Sequence, residues 1–94
     1  MFDKLEAVEK RYEELNQLIS DPEVISRQNE WKNLMKEHSD MIDIVEKYRE
    51  YKKVKQALDE AQEMLSDKDL KDLAEMQMLE CKENIAKIEE ELKI

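Results

Sequence analysis

The chain has 94 residues, 44% of them charged, with a formal net charge of −9, no glycine and a single proline. So acidic a surface argues against general binding to nucleic acid or anionic membrane, because both rely on clustered lysine and arginine. Without glycine, phosphate-cradling loops and strained catalytic turns lack their usual material, and long helices are the natural alternative.

In the first segment Met1, Leu5, Val8, Tyr12, Leu15 and Ile19 recur at steps of four and three, which predicts a helix over about 2–20 with one apolar stripe. It stops at Ser20-Asp21-Pro22-Glu23, where proline breaks the hydrogen-bond ladder and Asp21-Pro22 suits the start of a short new turn. A connector of about six residues follows. Ser26 is the expected cap of a second helix over about 27–65. Its stripe runs through Trp31, Leu34, His38, Met41, Val45, Tyr48, Tyr51, Val54, Leu58, Ala61 and Leu65. Two successive steps of three around Tyr51 form a stammer that overwinds the seam locally without ending the helix. At 1.5 Å per residue this helix would be about 57 Å long. His38-Ser39-Asp40 is its weak point, since serine and aspartate compete for backbone hydrogen bonds; continuity is the expectation there.

Ser66-Asp67-Lys68-Asp69 has the spacing of a capping-box variant and predicts a tight turn into a third helix over about 68–93. Leu70, Ala74, Met78, Cys81, Ile85, Ile88 and Leu92 form its stripe, with Leu73 and Met76 beside it. So short a connection makes the helix antiparallel to the second. The first helix then lies along that pair. The expected fold is all-α: an antiparallel three-helix bundle, or coiled-coil-like hairpin, with one long central helix, as a single domain over 1–94.

No residue set points to catalysis, cofactor binding or metal ligation. The only histidine, His38, and the only cysteine, Cys81, fall on different helices, where a hydrolytic zinc site needs several converging ligands. Both occupy seam positions and are expected to be structural. Adjacent carboxylates such as Glu13-Glu14 and Glu89-Glu90-Glu91 diverge around a helix and face solvent, and Glu6–Lys10 and Glu83–Lys87 have the spacing of helix-supporting pairs. Cys81 has no partner for an intramolecular disulfide, which agrees with a reducing compartment. The chain has no apolar run near the ~20 residues a bilayer requires, and Met1-Phe2-Asp3-Lys4 does not open like a signal peptide, so no membrane association and a cytoplasmic location are expected.

One segment departs from the acidic background. Lys47, Arg49, Lys52, Lys53 and Lys55 face only Glu50 within residues 47–55, and two readings stay open: weak contact with RNA phosphate, or neutralisation by the third helix. Residues 59–94 hold twelve acids and five bases, so an acidic counterpart is near, and Tyr48, Tyr51 and Val54 keep the seam spacing of core residues. Neutralisation within the molecule is favoured.

Leu5-Glu6-Ala7-Val8-Glu9-Lys10-Arg11-Tyr12-Glu13-Glu14-Leu15 followed by Ser20-Asp21-Pro22-Glu23-Val24-Ile25 resembles the start of a bacterial class I peptide chain release factor. Tyr48-Arg49-Glu50-Tyr51, Ala61-Gln62-Glu63-Met64-Leu65 and the acidic hairpin through Leu73-Ala74 resemble the N-terminal helical domain of that family in order, so the likeness covers essentially the whole chain. Each block is of low specificity, and their order and spacing carry the likeness, which is greatest to the type that reads UAA and UAG. In the family a Gly-Gly-Gln loop triggers peptidyl-tRNA hydrolysis and a Pro-x-Thr-type tripeptide reads the codon. Neither motif occurs here, since glycine is absent and Pro22 precedes Glu23-Val24. The resemblance therefore implies a non-catalytic piece of a translation termination factor, ending at Ile94 about where the later domains begin. Its implied partner is the ribosome at the stalk base, through a basic ribosomal protein, with weak rRNA contact near Lys47, Arg49, Lys52, Lys53 and Lys55. The alternative is a stand-alone coiled-coil oligomerisation or adaptor domain, and a thin exposed seam allows self-association.

Overall fold

A computed structural model describes residues 2–93 and contains four helices: α1 (Phe2–Leu18), α2 (Pro22–Ile25), α3 (Gln28–Met64) and α4 (Lys71–Leu92). Every described residue avoids positive φ, as expected of a chain without glycine. The fold is all-α with a long central helix. Helix α3 is unbroken through His38-Ser39-Asp40 and ends within a residue of the expected boundary. Met1, placed at the head of the first stripe, lies outside the described residues.

The chain divides into two compact units, residues 1–46 and 47–94, with the division inside α3. In the first unit α1 runs antiparallel to the leading part of α3. Leu5, Leu15, Val24 and Val45 are buried there, with Leu15 fully so. The end of α1 shows how a helix terminates without glycine. Backbone amides just past the helix reach its last carbonyls, Ile19 to Leu15, Ser20 to Gln17 and Asp21 to Leu18. The Trp31 indole N–H donates to the Ile19 carbonyl at 3.1 Å, and the Ser20 hydroxyl donates to the Asn16 carbonyl at 2.9 Å.

The connector holds a helical turn rather than a plain link. Asp21 caps α2, its carboxylate accepting the Glu23 amide at 2.9 Å, and Pro22 occupies the first turn where its missing N–H costs nothing. This turn carries Val24 into the core. Ser26 does not cap α3, contrary to expectation. Its hydroxyl donates to the Glu23 carbonyl at 2.6 Å and so closes α2, while the first turn of α3 is pinned by the Trp31 amide on the Arg27 carbonyl.

In the second unit the remainder of α3 pairs antiparallel with α4. Tyr48, Tyr51, Ala61, Ala74, Ile88 and Leu92 are buried. Small Ala61 and Ala74 permit close approach where the two tyrosines supply bulk further along. The turn between the helices departs from the expected capping box. Ser66 donates back to the Glu63 carbonyl at 2.9 Å, and the Asp67 carboxylate accepts the Asp69 amide at 3.0 Å, an Asx turn. Helix α4 consequently starts at Lys71, some three residues later than expected. Leu70 sits at the cap position and stays partly exposed instead of heading the seam.

Candidate interaction surface

The basic segment begins on α3 with Lys47, whose ammonium lies 3.3 Å from Glu50 and 2.5 Å from Glu91 of α4. The hydrogen bond to Glu91, then that to Glu50, holds the Lys47 pKa above its ordinary value. The same contact, helped by Lys87, holds Glu91 below the usual carboxylate range. Tyr48 and Tyr51 are buried and stack with ring centroids 6.4 Å apart. The Lys52 ammonium lies 4.6 Å from the Tyr48 ring centre and that of Lys55 5.9 Å from the Tyr51 ring, both one helical turn on. Arg49 is engaged as well, and Lys53 is exposed. The tyrosines are therefore core residues and offer no open ring for a base to stack on. Lys47 is committed to Glu50 and Glu91, while Lys52 and Lys55 lie beside the tyrosine rings with their side chains exposed.

In the first unit Arg11 bridges α1 and α3, with a guanidinium nitrogen 2.8 Å from Glu37 and another 3.3 Å from Glu14. The Glu37 hydrogen bond raises the Arg11 pKa. His38 is half-buried; its ring stacks on Tyr12 with centroids 4.5 Å apart, and Nε2 lies 2.6 Å from the Asn16 side-chain oxygen. Histidine thus serves as a helix-to-helix contact. Cys81 is free and half-buried on the α4 seam. His38 belongs to the first unit and Cys81 to the second, and among the described residues no cluster of three or more His, Cys, Asp or Glu gathers for a metal.

A second apolar stripe lies on α4 outside its seam. Leu73 is 47% exposed, Met76 71% and Leu79 62%. A shallow groove beside it is lined by Leu65, Glu75, Met78, Leu79 and Lys82. Leu73 and Met76 fell beside the stripe in the sequence pattern, but Leu79 was missed. The step of three from Met76 to Leu79 was the available signal.

Residues 8–94 match the PCRF domain family. The chain belongs to that family. Among curated relatives, peptide chain release factor 1 of Alkaliphilus oremlandii is 49% identical, and the chain is covered completely while spanning 28% of that relative. The Clostridium novyi and Clostridioides difficile proteins of the same name are 50% and 45% identical, again over the whole chain and 27% of each relative. This PCRF domain chain thus spans little more than a quarter of the length of the curated relatives it matches. No solved structure matches it. The likeness to peptide chain release factors read from the sequence blocks agrees with this membership, and the acids and apolar stripe described above are surface features of a PCRF domain.

Proposed function

We propose that this PCRF domain is the ribosome-docking part of a peptide chain release factor that acts in translation termination at UAA and UAG stop codons. The observation that carries the reading is similarity of about half the residues along the entire chain to proteins named peptide chain release factor 1. Bond cleavage is assigned to other parts of the factor, because a chain without glycine has no Gly-Gly-Gln loop. The setting is the cytoplasm, where ribosomes work. No described helix is long and apolar enough to cross a membrane.

In this mechanism the domain supplies placement. Acidic residues of α1 and of α4 meet a basic ribosomal protein at the stalk base, and the field of the net charge speeds and orients the encounter. The ion pair of Lys47 with Glu91 and the placement of Lys52 and Lys55 beside tyrosine rings support a minor role for rRNA contact. The decisive experiment titrates the chain against the purified stalk-base protein at rising salt. Binding that weakens steadily with salt is expected; no binding at low salt, or binding indifferent to salt, overturns the electrostatic mechanism.

A further inference from the structure

The exposed stripe of α4 is the feature that neither the core nor the net charge explains. Leu73, Met76 and Leu79 follow one another at steps of three, so consecutive members are neighbours on the helix surface. All three are substantially exposed. A contiguous apolar patch of this kind on a highly charged chain marks an interaction surface more often than it marks chance. Its surroundings select the occupant. Met76 has Asp72 four residues before it and Glu80 four after; Leu79 has Glu75 and Glu83 at the same spacings, and the one base on this face is Lys82, three residues after Leu79. These charged side chains are exposed.

We propose that this stripe is a docking site for a basic protein surface carrying protruding aliphatic side chains, which seat on Met76 and Leu79 while lysines or arginines meet the acidic rim. The division of labour is that of an apolar centre with a charged edge: the centre holds the complex and the edge selects the partner. A second copy of the chain brings an identical acidic rim, and an anionic bilayer brings the same sign of charge, so both are disfavoured by repulsion. The inference rests on the docking reading for its basic partner and goes beyond it in assigning the apolar contact to Met76 and Leu79, which the peptide pair tests apart from any ribosomal protein.

The test uses the whole chain and two synthetic helical peptides: one with a leucine face and a lysine face, the other with every leucine replaced by serine at equal charge. The leucine peptide should bind about tenfold more tightly than the serine peptide and shift the amide resonances of residues 72–83. Replacing both Met76→Ser and Leu79→Ser should remove that tenfold difference while helicity by circular dichroism is unchanged. D72N/E83Q should weaken binding several-fold; D40N/D43N, which removes two exposed acids of α3, should not. Equal affinity for the two peptides, absence of binding, or indifference to M76S/L79S overturns the proposal. Dimers in light scattering that M76S/L79S abolishes would assign the stripe to a second copy and overturn the basic partner.

Discussion

The Lys47 ammonium on α3 reaches the Glu91 carboxylate on the last turn of α4 across 2.5 Å, an ion pair that ties the far end of α4 to the middle of the long helix. Because Glu91 ionises more readily in the folded chain than its ordinary value of 4.5, the pair contributes stability that is present above that value and lost as pH falls through the depressed folded one. In thermal melts followed at 222 nm, E91Q should lose less Tm than the unmodified chain between mildly acidic pH and about pH 3. Parallel Tm–pH curves would show the pair to be idle.

Core and surface leucine-sized residues should separate cleanly. Leu15 is fully buried in the first unit, so Leu15→Ala removes packing that a thin seam cannot refill and should cost about 2–5 kcal/mol in urea unfolding. Met76→Ala, at a position 71% exposed, should stay within about 0.5 kcal/mol.

Asp21 is the cap of the turn that delivers Val24 to the core. Asp21→Ala leaves the Glu23 amide without its acceptor and should cost about 1 kcal/mol, whereas Asp21→Asn retains an oxygen there and should be nearly neutral. Urea unfolding of the two variants measures the difference.

The triple variant K52A/K53A/K55A distinguishes a role of the basic segment within the fold from a role on rRNA. With Lys52 and Lys55 laid over tyrosine rings, ribosome affinity measured by cosedimentation should fall less than about twofold and its salt dependence should persist. A marked loss with a shallower salt slope would assign the segment to rRNA.

Much of the fold was legible because seam packing in long helices depends on spacing alone. Every residue placed on the stripe of the long helix, from Trp31 to Leu65, is buried or half-buried, and His38 found its partners on α1. The serines misled for a physical reason. A serine hydroxyl can accept an amide ahead of it or donate to a carbonyl behind it, and both Ser26 and Ser66 took the second course. Val24 was passed over because its short helix is too brief to show periodicity. The Trp31 bond to Ile19 depends on two helices meeting, which no local pattern reveals. The surface was harder still: Leu73 and Met76 were visible as apolar residues, but exposure is a property of what does not pack against them.

The absence of positive φ among the described residues bears on how freely such a chain can drift. Where backbone geometry demands glycine, a position is closed to the other nineteen side chains. Here no described position imposes that demand, so tolerance at each site is set by volume, charge, helix propensity and side-chain hydrogen bonds such as the Asp21 cap. A saturation library should therefore show a gradient from seam to solvent, interrupted in the turns by side-chain caps such as Asp21 and not by glycine-only positions.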